Sequence, residues 1–276
     1  MYRVGFSEYS PNTKAIDVAA KCVRLGLTSY QITGDFQMNF PESIDNKERE
    51  QIREFNTEQE IVLHYHAPTD IPLASRHHHL RLSGVERLIE YLELAIDLGA
   101  RSFVFHPGRF AFYKISSGKV VFAQRDIPDI YFERFYDSVK RLVNYTAGRI
   151  NLLLENTYNF SKQLIGIVDR FLELPSTGLV WDIGHMHHKK STRLNRESST
   201  AQIAEFFSDR LKHIKLAHIH DVAGVKGHLP LGTGEIKLAP YIDIINTLGI
   251  DMIVEVFSEQ DLQTSIEYIN RLSTPQ

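Results

Sequence analysis

The feature that most constrains this chain is a rhythm. Short apolar runs alternate with longer amphipathic segments from one end to the other, the pattern of repeated β-α units and not of a sandwich or a bundle. Strands are predicted at 3–7, 29–33, 61–66, 102–106, 150–155, 178–183, 213–218 and 251–256. Helical periodicity fills the intervals at 13–25, 45–56, 84–98, 129–146, 161–172, 200–207, 238–248 and 262–272. Such units repeated along 276 residues have the order and size of a closed barrel, so the fold class is read as α/β, a single (β/α)8 TIM barrel spanning 1–276 as one domain. Gly26, Gly99 and Gly249 each stand where a helix should end and the next strand begin. Longer connections at 109–128 and 186–199 leave the C-terminal ends of strands, where barrels build active sites, and are expected to supply substrate contacts or a lid.

The net charge of −3 advertises no basic field for nucleic acid, although a local positive cleft stays compatible with it. Cys22 is the single cysteine, which removes intramolecular disulfides and thiolate zinc sites, so any metal must be held by histidine and carboxylate. The first residues lack a basic stretch followed by a long apolar one, and no run of about 18 apolar residues occurs. A cytoplasmic protein without a membrane partner is therefore expected.

Residues with metal-binding chemistry fall at the last position or two of the predicted strands. His66 closes Leu63-His64-Tyr65-His66, His106 closes Phe103-Val104-Phe105-His106, Glu155 closes Leu152-Leu153-Leu154-Glu155, and Asp182 ends Leu179-Val180-Trp181-Asp182 with His185 three residues later. His218 ends Ile214-Lys215-Leu216-Ala217-His218, and Glu255 stands in Ile253-Val254-Glu255-Val256. An apolar strand ending in an imidazole or carboxylate desolvates that group at the barrel mouth, a cost that pairing or a metal offsets. Mixed nitrogen and oxygen donors suit zinc or manganese best, with cobalt and magnesium possible. In the spaced pairs His64/His66 and His218/His220, one residue is expected to be a ligand and the other a hydrogen-bonding partner. The runs 77–79 and 187–188 are read as solvent-exposed loop histidines.

These motifs resemble, nearly end to end, the xylose isomerase-like TIM-barrel superfamily, which contains endonuclease IV, sugar and sugar-phosphate isomerases and epimerases, and relatives of inosose dehydratase. The resemblance rests on His66-Ala67-Pro68, His106-Pro107-Gly108, Glu155-Asn156-Thr157, Asp182-Ile183-Gly184-His185, His218-Ile219-His220-Asp221, His228 before Pro230-Leu231-Gly232-Thr233-Gly234, and Glu255. It implies a shared metal site from Glu155, Asp182, His218 and Glu255. His66 and His106, with Glu155 bridging, would add a second site of the endonuclease IV type, and His185 and His228 would contribute to a third, giving one to three ions in all. Lys226 stands where the endonuclease pattern has a carboxylate ligand, and the aromatic residue that family places after His66 is missing. Both departures weigh against DNA repair.

The leading expectation is a divalent-metal-dependent sugar or sugar-phosphate isomerase or epimerase. In it Glu155 and Glu255 pass a proton through an enediolate and His185 orients a hydroxyl. Lys226, Arg109, Asn156 and His64 are the candidate substrate-binding residues. The alternative is an endonuclease IV-like phosphodiester hydrolase with DNA as partner, which needs phosphate contacts and a filler for a flipped nucleotide. A barrel that has kept its fold as a non-catalytic binding protein is the third reading. The oligomeric state is left open.

Overall fold

A computed structural model of the chain describes residues 3–107, 112–122, 128–157, 162–188 and 200–273. In chain order its strands are β1 (Val4–Ser7), β2 (Ser29–Thr33), β3 (Val62–His66), β4 (Ser102–Phe105), β5 (Phe112–Lys114), β6 (Val120–Phe122), β7 (Asn151–Glu155), β8 (Thr177–Asp182), β9 (Ile214–Ile219), β10 (Asp221–Ala223), β11 (Lys226–Leu229) and β12 (Asp251–Val254). The helices are α1 (Ala15–Arg24), α2 (Asn46–Glu58), α3 (His78–Asp97), α4 (Pro128–Thr146), α5 (Lys162–Leu172), α6 (Ile183–His187), α7 (Thr200–Ser208), α8 (Ala239–Leu248) and α9 (Glu259–Ser273). Parallel strands close in the order β1-β12-β9-β8-β7-β4-β3-β2, the (β/α)8 barrel that the rhythm predicts.

The helices cover the barrel because their apolar stripes match it. On α1 the buried positions Ala15, Val18, Ala19 and Cys22 follow helical spacing. On α2, Asp45 caps the N-terminus by accepting the Glu48 N–H at 2.9 Å. Gly26, Gly99 and Gly249 take φ of +66°, +75° and +65°, so each of the three expected helix ends uses the conformation only glycine adopts freely.

Strand pairing sets what faces inward. Val104 pairs with Leu153, Val180 with Leu216, and His218 with Ile253. Val104, Leu153, Val180, Leu216 and Ile253 form one buried apolar cluster inside the barrel. Along β7, β8 and β9, the residues two positions beyond this layer are Glu155, Asp182 and His218, which the pleat therefore aims into the barrel on top of an apolar floor.

Two helix starts differ from expectation for physical reasons. Helix α3 begins at His78 and not at 84, because its first turns are anchored by buried Arg81, which pairs with Asp137 at 2.7 Å, and not by an apolar stripe. Helix α9 starts at Glu259, capped by Ser258 Oγ, which accepts the Asp261 N–H at 3.1 Å. The connections also contain antiparallel hairpins, β5-β6 and β10-β11, that the sequence pattern does not announce. The second of these returns His228 over the barrel mouth. Among the described residues no helix is long and apolar enough to cross a membrane.

Candidate metal centre

At the C-terminal mouth, Glu155 sits at the centre of a ring of imidazoles. Its Oε2 lies 3.2 Å from His66 Nε2, 3.3 Å from His106 Nε2 and 3.2 Å from His218 Nδ1, and its Oε1 lies 3.7 Å from His185 Nδ1. His66 Nδ1 lies 2.8 Å from the Ala67 carbonyl, which can only accept, so the proton is on Nδ1 and the Nε2 lone pair points inward. That Nε2 is 3.1 Å from His106 Nε2, a close approach of two ring nitrogens suited to a shared cation.

Next to this group, His218 Nδ1 reaches Glu255 Oε1 at 3.3 Å while its Nε2 meets Gln31 Oε1 at 3.0 Å. Gln31 Nε2 in turn donates to Glu255 Oε1 at 3.3 Å and to Ser7 Oγ at 3.2 Å, fixing the rotamers of His218 and Glu255. Asp182 caps the short α6 by accepting the His185 N–H at 2.6 Å, and its Oδ2 is 3.0 Å from His185 Nδ1.

Further out, His185, His220 and His228 bring three ring nitrogens within 4.8 Å of one another. His228 donates from Nδ1 to the Glu255 carbonyl at 3.1 Å. Its backbone has φ of +52°, a conformation unfavourable for histidine that the β10-β11 hairpin imposes. Gly184 is required here, since a Cβ on it would stand 2.1 Å from the His220 ring. Asp221 holds the loop behind this cluster by accepting N–H groups from Gly232, Gly234, Val222 and Ile236 at 3.0, 2.8, 2.8 and 3.1 Å.

The electrostatics have one theme. Burial opposes charge throughout, yet His218 and His106 hold Glu155 well below the ordinary carboxylate range. Burial also works against His218 and His185, but Glu255 and Glu155 push the first, and Asp182 and Glu155 the second, up to about 9. Burial raises Asp182 to about 7. Burial and the neighbouring His228 and His185 drive His220 down to about 2, so its imidazole stays neutral. Among the described residues, the ion pairs of Glu155, Asp182 and Glu255 are all with histidine. Asp182 Oδ2, His218 Nδ1 and His220 Nε2 are buried without a hydrogen bond of good geometry. Buried carboxylates without a fixed cation, beside unused lone pairs, fit a divalent metal. The ligand-type clusters are His66-His106-Glu155, Glu155-Asp182-His218 and His185-His220-His228.

Several expectations need correction. His64 does not reach the mouth. It is buried at the opposite end, bonded to Ser102 Oγ at 2.7 Å and Asp251 Oδ2 at 3.2 Å, because it sits one pleat repeat before His66. Asn156 is likewise removed from substrate contact, since its Nδ2 donates to the Asp182 carbonyl at 2.9 Å and its Oδ1 accepts the Asp182 N–H at 2.7 Å. His187 is half-buried and bonded to Tyr241 at 2.8 Å instead of lying exposed, and His188 is half-buried too. His78 and His79 are exposed but begin α3. Lys226 is exposed at the start of β11, and Arg109 lies outside the described residues.

Sequence reasoning missed His220 as a member of the outer cluster, although its spacing from His218 is visible in the chain. It also missed Gln31, a lone amide in an apolar strand. Tyr9 and Phe257 carry no signal at all. Their rings lie 6.2 and 4.9 Å from His228 and 5.1 Å from each other, and burial together with Glu255 raises the Tyr9 phenol well above its ordinary range.

A family model described as a xylose isomerase-like TIM barrel matches residues 19–272. An uncharacterised protein of Methanocaldococcus jannaschii is 26% identical over 218 residues, covering 74% of this chain and 67% of that protein. The crystal structure of a D-tagatose 3-epimerase-like protein superposes with a TM-score of 0.74 at 20% identity, covering 98% of this chain and 96% of the other. Endonuclease IV from Thermus thermophilus gives 0.69 at 19% identity, with 98% and 99% covered. At such identities these structures show a common fold.

Proposed function

The chain belongs to the xylose isomerase-like TIM-barrel family, and from that premise we propose that it is a divalent-metal-dependent epimerase or isomerase of sugars or sugar phosphates. The observation that carries this reading is the pair of buried carboxylates Glu155 and Glu255, which approach the same His218 nitrogen at 3.2 and 3.3 Å above an apolar floor. Glu155, Asp182, His218 and Glu255 would hold the ion, with His66 and His106 beside them. When bound, a divalent ion supplies Lewis-acid polarisation of a carbonyl and its neighbouring hydroxyl.

The chain's own residues do the rest. One of the two glutamates accepts the proton from the hydroxyl-bearing carbon next to the carbonyl, and the other returns a proton to it from the opposite side. Gln31 keeps Glu255 and His218 in register. His185 orients a substrate hydroxyl, and the buried floor excludes water from beneath the reacting carbon. Lys226 is the candidate contact for an anionic substituent.

Likeness to the D-tagatose 3-epimerase-like structure supports this choice. The test is solvent-deuterium incorporation into ketoses and their phosphates by the protein reconstituted with zinc or manganese. Exchange that disappears in Glu155→Gln and Glu255→Gln supports the reading, and exchange that persists in both contradicts it.

One observation favours a second reading, hydrolysis of a phosphodiester as in endonuclease IV. The ligand-type clusters at the mouth include His66-His106-Glu155 and His185-His220-His228 beside the central one, more donors than a single ion uses. Nicking of a duplex containing an abasic site, with no deuterium exchange into any sugar, would make this the better reading.

A further inference from the structure

Beside the metal centre, above the ends of β1 and β12 and between α1 and α9, lies a cavity of about 200 Å³. Tyr9 and Phe257 form part of its lining, and both rings also face His228, so the cavity and the mouth share a wall. Phe257 is 65% exposed, a large apolar side chain left open to solvent among the described residues. The remaining walls are polar, with Glu8, Ser10, Lys21, Ser258 and Glu259 among them.

The charges in those walls are already spoken for. Lys21 Nζ lies 2.9 Å from Glu8 Oε2 and 3.7 Å from Glu259 Oε2. Arg24, behind the wall, makes a two-pronged contact with Glu259 at 2.9 and 3.2 Å. A phosphate or carboxylate entering here would meet two carboxylates and find Lys21 and Arg24 both engaged with them, an arrangement that offers an anion no unengaged cation. A hydroxylated, uncharged group meets something different. The Glu8 and Glu259 oxygens accept from its hydroxyls, the serine hydroxyls donate or accept, and the aromatic faces take its C–H surface.

We propose that this cavity is a subsite for an uncharged, hydroxylated second unit of the substrate, so that the enzyme acts on a sugar carrying a glycosidic or polyol substituent in preference to a sugar phosphate. The inference rests on the sugar-epimerase reading and narrows its substrate class. The reacting unit sits over Glu155 and Glu255, and the substituent reaches the cavity across the exposed edge of Phe257, because the Tyr9 and Phe257 rings, 5.1 Å apart and edge to face, close the wall between them.

The experiment measures equilibrium binding by ligand-observed NMR on the zinc-reconstituted full chain. Cellobiose, maltose and sucrose are compared with glucose, fructose and their 6-phosphates. At least one disaccharide is expected to bind about fivefold or more tighter than either monosaccharide, the worth of one net hydrogen bond. In Ser10→Trp, which fills the cavity, that advantage should disappear. In Glu8→Gln, which removes the nearer of the two carboxylates holding Lys21 and needs no new volume, binding of inorganic phosphate should strengthen. Equal binding of mono- and disaccharides, tighter binding of the 6-phosphates, or no sugar binding would overturn the proposal. If the disaccharide preference and its loss in Ser10→Trp are seen but no sugar exchanges deuterium, the subsite stands and the epimerase reading fails.

Discussion

The barrel carries buried histidine-carboxylate chemistry at both ends, and the two ends solve it differently. At the N-terminal end His64 bonds Ser102 through Nδ1 and Asp251 through Nε2. Asp251 is also paired with Arg101 at 3.0 Å and Arg3 at 3.5 Å. Burial would raise Asp251, but His64 and Arg101 hold it below the ordinary range, while burial pushes His64 down and keeps it largely neutral. Permanent guanidinium charge balances the carboxylate, and both ring nitrogens of His64 have partners. At the mouth, among the described residues, the carboxylates are paired only with imidazoles, and Asp182 Oδ2, His218 Nδ1 and His220 Nε2 lie buried without hydrogen bonds of good geometry. The first arrangement plugs a barrel. The second is built from groups suited to hold a cation.

The largest expected effect distinguishes the ends by activity. Glu155→Gln removes the charge shared by His66, His106, His185 and His218 and should lower deuterium exchange by about 10³-fold or more, while Asp251→Ala leaves the bound metal count unchanged. An Asp251 variant that lost metal would show that the ends are coupled.

In stability the order reverses. Asp251→Ala strands His64 and two arginines and should cost about 3 kcal/mol in urea unfolding, a figure reduced because the guanidiniums reach solvent. Asp221→Ala should cost about 2 kcal/mol by leaving N–H groups of the 231–236 loop unpaired. It should also weaken metal held by His220 and His228, which chelator-competition measurements would detect.

A separate effect is a pH slope in the metal-free protein. His218 and His185 are raised from 6.5 to about 9, so the stability they contribute is complete below pH 6.5 and lost as pH rises to 9. Asp182, raised from 3.8 to about 7, adds a loss in the same direction as pH rises through 7. His220, depressed from 6.5 to about 2, works oppositely and only on the acid side of 6.5. The melting temperature should therefore fall from pH 6.5 to 9 without metal, and the gain on adding zinc should grow over the same range as ligands deprotonate. A flat metal-free profile would contradict this electrostatic picture of the mouth.

The contrast between the ends also explains what was legible in the sequence. Strand ends were readable because apolar runs stop abruptly at His66, Glu155, Asp182 and His218, and a barrel aims strand ends at one rim. His64 looked equivalent to His66 because both obey the same alternation. Telling them apart needs the depth of each residue in the barrel, which follows from the register of β3 against β4. Asn156 looked like a site residue for a similar reason, whereas its amide is spent on the Asp182 main chain. Asp221, Tyr9 and Phe257 act through loops and hairpins, where chain direction depends on long-range contacts and not on periodicity.

The most direct test is a metal count by elemental analysis on protein purified without chelator and on protein reconstituted with zinc, for the natural chain, Asp182→Ala and Asp251→Ala. At least one tightly bound divalent ion per chain is expected in the natural protein and in Asp251→Ala, and a reduced count in Asp182→Ala. No bound ion after reconstitution, or a count that Asp182→Ala leaves unchanged, would contradict the claim that the barrel mouth is a metal centre.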